Sequence, residues 1–471
     1  MTDLEGWRLV VGKGSHGQHQ WVYLSPDDPR REEWKQSKED KYWLGLETGA
    51  PDLPKATTPL EAARNGFEFY KQIQCKDGHW AGAYGGPMFV LPGLVIAIKS
   101  EIIRYLFNKR RPEGGWGLHT AGEPTMFGTV MNYVALRLLG VACDEPVMVE
   151  TRRWIHKNGG AVSAPSWAKA WLSILNVYKW EGVNPIQPEL WLLPEWIPFH
   201  PSRWWVQNRN VSYTRHVLAD PTDIALSYLY GIKFQGTITP LVLAIREEIY
   251  TEPYDLIDFA SHCNNTHKLD LYNPRHPVGI IANYAAQFLE SCSRVFGFVR
   301  QKALDYVYKL IVYEDENTGY QCIAPISKSL HMICRYVVKG PNSSAFTQHV
   351  SKIDDFLWMS REGMMMTGTN GSQLWDLAFI SQAIVESGLA EEEANRESCL
   401  RALNWLDKAQ IRENPKWYEV AYRHGSKGAW PFSTPEQSYT VSDCTGEGLK
   451  AVLALQSLRY VARKVDRNAT F

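Results

Sequence analysis

A chain of 471 residues in which 45% are hydrophobic can bury a large core in two or three domains. Its 50 Lys and Arg against 51 Asp and Glu give a net charge of −1, leaving no surplus of cation for a nucleic-acid footprint. The 19 Trp, 23 Tyr and 16 Phe fit either a Trp-braced helical core or a cavity lined with π faces, and composition does not separate the two.

The opening Met1-Thr-Asp-Leu-Glu has no basic region followed by an apolar stretch, so no secretory signal is read there. The cysteines at 75, 143, 263, 292, 322, 334, 399 and 444 form no C-x-x-C pair and no His/Cys cluster with zinc spacing. Reduced thiols facing the cytosol are the default. Residues 1–59 read as a wrapping segment, and helical hairpins follow from about residue 60. Met88 to Ile98 is too short to span a bilayer but long enough for a buried or interfacial segment, which leaves attachment to one leaflet open.

Glu101 to Phe107 sets Ile102, Ile103, Leu106 and Phe107 on one helical face. Tyr133 to Leu139 continues similarly and is closed by Gly140 as a C′ glycine. Pro165 opens a helix carrying Trp167, Trp171, Leu172 and Leu175 from its first turn, and Gln187 to Trp205 is a Pro- and Trp-rich connection. Thr239-Pro240 reads as an N-cap with proline at N1, ahead of Leu241 to Ile249. Further helices are predicted at 280–296, 301–313, 345–358, 373–387, 397–409 and 444–456. Strand-like alternation is sparse, so the fold class is all-α.

A turn motif recurs in Gln74-Cys-Lys-Asp-Gly78-His-Trp80, in Arg111-Pro-Glu-Gly114-Gly-Trp116, and in Gln410 leading to Gly428-Ala-Trp430. Its indoles are predicted to pack on neighbouring helix ends, with the Gln amide meeting orphaned backbone groups there. The repetition points to stacked helical pairs.

Chemistry concentrates in Gly428-Ala-Trp-Pro-Phe432-Ser-Thr and Val441-Ser-Asp443-Cys444-Thr-Gly-Glu447. Taken alone, an Asp ahead of a helix is an N-cap. Here Tyr422-Arg-His-Gly-Ser-Lys leads into the segment, and Gly368-Thr-Asn-Gly-Ser-Gln-Leu-Trp375-Asp, residues 113–136 and residues 165–181 accompany it. Together these blocks resemble the oxidosqualene cyclases of the terpene cyclase/mutase family, in the fungal lanosterol-forming pattern, over roughly residues 7 to 456. The family signature Asp-Cys-Thr-Ala-Glu stands here as Asp-Cys-Thr-Gly-Glu.

The resemblance implies two α-α barrels, one over 60–284 and a second, incomplete one over 285–471 that carries Asp443. It implies acid-initiated cyclisation of (S)-2,3-oxidosqualene to lanosterol in sterol synthesis, with no metal or organic cofactor. Asp443 is the implied general acid, a role that burial would favour by keeping a carboxyl neutral. Cys444 is its implied hydrogen-bond partner, and Glu447 belongs to the relay that restores the proton. Trp375 and Phe432 line the path of the migrating cation, which an aromatic face stabilises by ~2 kcal/mol or more without trapping it. Tyr84 and Trp167 shape the substrate or the cavity wall, and Trp205 matches the aromatic of the deprotonating region. Val441 has the smaller side chain of lanosterol-forming members, a lean of ~1–3 kcal/mol at most. The implied partners are oxidosqualene and one leaflet of an endoplasmic-reticulum or lipid-droplet membrane, with peripheral, monotopic attachment.

Four departures stand out. The family pattern continues beyond the acid motif, whereas this sequence ends fifteen residues after Gln456. Gln207 replaces the histidine of the Trp-x-His-x-Arg motif, residues 212–225 lengthen a link, and the stretch around Lys99-Ser100 is short. They keep two alternatives open: a protostadienol-type cyclase, or a catalytically dead helical protein that binds lipid or a partner. Asp443→Asn separates enzyme from binder.

Overall fold

The computed structural model describes residues 2–12, 16–86, 88, 99–197, 200–201, 224–271, 277–293, 297–437 and 439–459. In chain order, β1 (Trp7–Val11) and β2 (His19–Tyr23) precede α1 (Arg30–Glu33), α2 (Lys38–Trp43) and α3 (Pro59–Gln72). Next come α4 (Lys99–Lys109), α5 (Met126–Leu138), α6 (Pro146–Lys157), α7 (Ser166–Ile174), α8 (Ile224–Gly231) and α9 (Pro240–Glu248). They are followed by α10 (Pro277–Ser293), α11 (Gly297–Asn317), α12 (Pro325–Lys339) and α13 (Ser344–Ser351). A hairpin of β3 (Leu357–Ser360) and β4 (Gly363–Met366) leads to α14 (Gln373–Glu386), α15 (Arg396–Ala409) and α16 (Ser442–Gln456). The protein is all-α, with two small antiparallel hairpins among the described residues.

Contacts group the chain into two compact units that are not consecutive in sequence. One contains residues 1–85, 317–324 and 352–471; the other contains 86–316 and 325–351. The expected segments 1–59, 60–284 and 285–471 followed sequence order. The observed grouping follows packing: the buried Asp355 carboxylate accepts from Gln18, from Gln20 at 2.7 Å and from Gln321 at 3.1 Å, which ties three separate stretches into the first unit.

In that first unit Trp21 and Trp43 meet Trp358 of β3 edge-on, with centroids 5.6 and 5.3 Å apart. The helix predicted over 345–358 ends at Ser351, and Leu357 onward is strand. β3 and β4 are buried on both faces, apart from half-buried Ser360, so they show no alternation, and Gly363 at φ +125° permits the tight return. A second core lies among α14, α15 and α16, where Leu374, Leu377, Trp405, Leu406, Ala451 and Leu455 are all buried.

In the other unit, α5 is buried from Met126 through Leu136. Thr125 caps its first turn by accepting from the Gly128 amide at 3.0 Å, and Asp270 accepts the Met126 and Phe127 amides at 2.9 Å each. Gly140, at φ +90°, ends it with the Val141 amide donating back to Leu136 O at 3.0 Å, as the C′ reading required. Thr239 and Pro240 cap and open α9 as expected. Pro165 sits one residue earlier than expected, at the N-cap with an extended backbone rather than in the first turn.

The repeated Gly-x-Trp turns have a defined task. Trp80 Nε1 donates to Tyr70 O at 2.8 Å, Trp116 Nε1 to Leu106 O at 2.8 Å and Trp430 Nε1 to Leu406 O at 2.9 Å. Each acceptor lies near the C-terminal end of a helix, α3, α4 or α15, where carbonyls lack intrahelical donors. Gln74 and Gln410 donate to Gly78 O and Gly428 O, fixing the turn that presents the indole. Because Trp116 is fully buried, Trp116→Phe should leave Leu106 O unpaired and destabilise the protein by ~1–3 kcal/mol. Urea denaturation checks this; a loss no larger than that of a surface substitution would contradict the bracing role.

No helix among the described residues is long and apolar enough to cross a membrane. Met88 to Ile98, apart from Met88, lies outside the described residues, as do Trp205, Gln207 and 212–223.

Candidate active site

The chain enters α16 through Val441, whose backbone is extended at φ −114° and ψ 120°. The helix opens at Ser442, so Asp443 is its second residue rather than the N-cap that an isolated reading gives. The extended residue falls two places ahead of the carboxylate, and no side chain caps this end. Asp443 therefore lies in the first turn, where the helix dipole favours negative charge. Its side chain is exposed, and among the described residues its carboxylate takes part in no side-chain hydrogen bond. Among the described residues, neither the burial of Asp443 nor the Cys444 hydrogen bond that the resemblance implies is seen.

Cys444 points the other way and is 1% exposed. Burial, with the nearby Asp443 charge, pushes its thiol up to about 12, so it stays protonated. Glu447, one turn on, accepts from Gln382 Nε2 of α14 at 2.8 Å and pairs with Lys450 at 2.9 Å. These hydrogen bonds hold its carboxyl below the usual range.

Three of the predicted aromatics do come together. Trp375 and Phe432 have centroids 5.9 Å apart, Tyr84 lies 5.3 Å from Phe432, and Phe379 meets Trp375 at 4.8 Å nearly edge-on. Trp375 is the third residue of α14, and its amide donates to Phe432 O at 3.3 Å. Tyr84 is held by its carbonyl, which accepts from the Gly368 amide at 3.0 Å, beside a bridge between Gly85 and Thr367. Trp375, Phe432 and Val441 all pack on the α14–α16 core.

A polar frame without a distinctive motif of its own joins this row to α16. Thr445 Oγ1 accepts from the Trp430 amide and donates to Trp430 O, both at 3.2 Å. Asn370 donates to Thr434 at 2.9 Å and accepts from Ser433, which also donates to Gln437 at 3.0 Å. These buried bonds lock the loop that carries Phe432 against the one that precedes Trp375. The only sequence signal was that both loops are dense in Asn, Ser and Thr.

Trp167 is half-buried on α7 in the other unit. Trp205 lies outside the described residues.

Gly446 is the one place where the acid motif departs from its family form. It is helical, and a methyl group built on it would meet nothing within 4 Å. Gly446→Ala should therefore raise stability by ~0.5–1 kcal/mol through lower unfolded-state entropy. Thermal denaturation reads this, and a destabilised variant would mean that the site needs glycine.

The sequence profile of the squalene-hopene cyclase N-terminal domain matches residues 95–362. A lanosterol synthase of Pneumocystis carinii is 47% identical over 477 residues, covering 99% of this chain and 64% of that protein. A lanosterol synthase of Aspergillus fumigatus is 43% identical, covering 99% of this chain and 64% of its own. The human lanosterol synthase is 43% identical, at 97% and 61%. The chain thus spans less than two thirds of the length of these relatives. With the domain profile across more than half of the chain and this identity along nearly all of it, the protein belongs to the squalene-hopene and oxidosqualene cyclase family of terpene cyclases.

Proposed function

We propose that this chain carries the acid and the first cation-stabilising wall of a cyclase that converts (S)-2,3-oxidosqualene to lanosterol. What carries the reading is the short structural path from Asp443 through Thr445 and Trp430 to the row of Phe432, Trp375 and Tyr84. A carboxylic acid near aromatic faces can open an epoxide, and the rings of Phe432 and Trp375 can then stabilise the charge that develops without a free lone pair to trap it. Asp443 is exposed, so the reading requires water to leave it when the hydrocarbon substrate is seated. Glu447, with its Gln382 partner, stands one turn away as the group that exchanges protons with solvent.

The test is product analysis. Residues 1–471 are expressed in a host lacking its own cyclase, oxidosqualene is supplied, and extracted lipids are separated by gas chromatography and mass spectrometry. Lanosterol is the expected product, in line with Val441; another tetracycle of protostadienol type would revise the product alone. Unchanged oxidosqualene beside an active control would overturn the reading and leave the alternative of a catalytically dead helical protein that binds lipid or a partner.

An oily substrate calls for a lipid surface, and α10 offers one. Ile281, Tyr284 and Phe288 follow one helical face and are 67%, 60% and 69% exposed, with Phe298 of α11 at 82%. This stripe supports peripheral attachment to one leaflet, at an endoplasmic-reticulum or lipid-droplet membrane. Phe288→Ser with Phe298→Ser should then release the protein from phosphatidylcholine vesicles in a flotation assay. Unchanged flotation would remove α10 as the contact.

A further inference from the structure

No run of the sequence has zinc-ligand spacing, yet folding of the first unit brings His19, Cys75 and His79 together, with one ligand atom of each lying within 4.8 Å of the others. His19 comes from β2, and Cys75 and His79 from the turn after α3, where the Cys75 amide donates to His79 O at 2.9 Å. All three are buried, at 4%, 1% and 0% exposure. His19 Nε2 faces His79 Nε2 at 2.6 Å, and Cys75 Sγ stands 3.6 Å from the same His79 nitrogen. A fourth donor, Glu39 Oε1 of α2, is 2.8 Å from Cys75 Sγ.

From these contacts we infer a structural zinc site formed by His19 Nε2, Cys75 Sγ, His79 Nε2 and Glu39 Oε1. One thiolate and one carboxylate balance the two positive charges of Zn²⁺ beside two neutral imidazoles, which suits a buried position, and the set matches the borderline-soft preference of that ion. Ligands at ~2.0–2.3 Å from a tetrahedral zinc stand ~3.3–3.8 Å apart. The Cys75–His79 separation already fits, and the His19–His79 and Cys75–Glu39 pairs must open by under ~1 Å. Glu39, which stands outside the set of donors mutually within 4.8 Å, must swing toward the histidines to complete the tetrahedron.

The surroundings are those of a ligand shell. Asp77 Oδ1 accepts from His79 Nδ1 at 2.6 Å, which leaves the Nε2 lone pair facing inward. Trp405 Nε1 donates to the other Asp77 oxygen at 3.2 Å and so fixes the carboxylate. A carboxylate behind a metal-binding imidazole orients the ring and raises its donor strength. Trp358 lies edge-on to His19 at 5.7 Å, and Trp405 packs on His79 at 5.2 Å, so the walls are aromatic. Among the described residues no Lys or Arg pairs with Glu39. The ion has no part in cyclisation: with four protein donors no position is open, and its effect is to pin β2 and α2 to the turn that carries Trp80. The proposal is independent of the cyclase reading.

The untagged chain, purified from zinc-supplemented medium, is assayed for bound metal by inductively coupled plasma mass spectrometry. About one zinc per chain is expected, with occupancy lowered about tenfold or more in Cys75→Ser and in His19→Gln. Because those variants can fail to fold, the wild type is also stripped with a chelator and titrated with Co²⁺. A near-ultraviolet thiolate-to-cobalt absorption band and a rise in Tm on loading are expected. A stripped chain that stays folded, shows no such band and melts unchanged with Zn²⁺ would overturn the site. It would leave a hydrogen-bonded chain from His19 through His79 to Asp77.

Discussion

Asp443→Asn should lower oxidosqualene turnover by ~10²–10⁴-fold, the range over which a positioned general acid contributes. The substitution keeps the shape of the side chain and removes only the proton that epoxide opening needs. Asp443 is exposed in the first turn of α16, with no side-chain hydrogen bond among the described residues. Nothing in the packing therefore depends on its charge, apart from a helix-dipole contribution of ~0.3–1 kcal/mol. Folding, Tm and the affinity for oxidosqualene should be almost unchanged, which separates catalysis from lipid binding in one variant. Turnover within a few-fold of the unaltered chain would remove Asp443 as the acid. Loss of binding together with turnover would place it in the substrate seat instead. Trp375→Ala gives a different pattern, because its ring lies tilted against Phe432 and packs on the α14–α16 core. It should lose stability as well as turnover.

Much of this arrangement is legible in the sequence because it rests on local chemistry. Glycine at a positive φ followed by an indole marks each Gly-x-Trp turn, and the structure uses the three indoles identically, as donors to helix-end carbonyls. Thr239-Pro240 and Gly140 announce their helix ends for similarly local reasons. What sequence could not supply depends on long-range packing. The strands 357–360 and 363–366 are buried on both faces and so carry no period. The His19, Cys75 and His79 cluster joins segments about sixty residues apart, so spacing along the chain is silent about it. The exposure of Asp443 is the plainest case. The motif names the residue, but whether water reaches it depends on what packs over the outer face of α16, where Leu449 and Leu453 are also exposed.

The largest loss of stability should come from Asp315→Asn. Asp315, on α11, is fully buried; its Oδ1 accepts from His331 Nδ1 at 2.8 Å, and its Oδ2 meets Arg335 Nε at 2.7 Å and His349 Nε2 at 3.2 Å. Burial works against its ionisation, but the charge and hydrogen bond of His331, reinforced by His349, outweigh it and hold the carboxyl well below the usual range. Asparagine fills the same space, yet it leaves Arg335 without its buried counter-charge and turns an amide donor toward other donors. Removing one partner of such a buried set costs ~3–5 kcal/mol. Urea denaturation should show that loss, and a shift below ~1 kcal/mol would mean that water or another acid satisfies the cations. The same cluster sets a pH dependence. Burial, only partly offset by Asp315, takes His349 from 6.5 down to about 4. Between those values the unfolded chain binds more protons than the folded one, so this residue's contribution is present above pH 6.5 and is lost as pH falls toward 4. Its size is ~3 kcal/mol over that window. Glu39, raised by burial to about 7, and Asp270, raised by burial to about 6, act in the opposite sense over part of the same range. The difference between the stability curves of the unaltered protein and His349→Gln isolates the histidine. That difference should decline as the solution is acidified, and a flat one would place the proton elsewhere in the cluster.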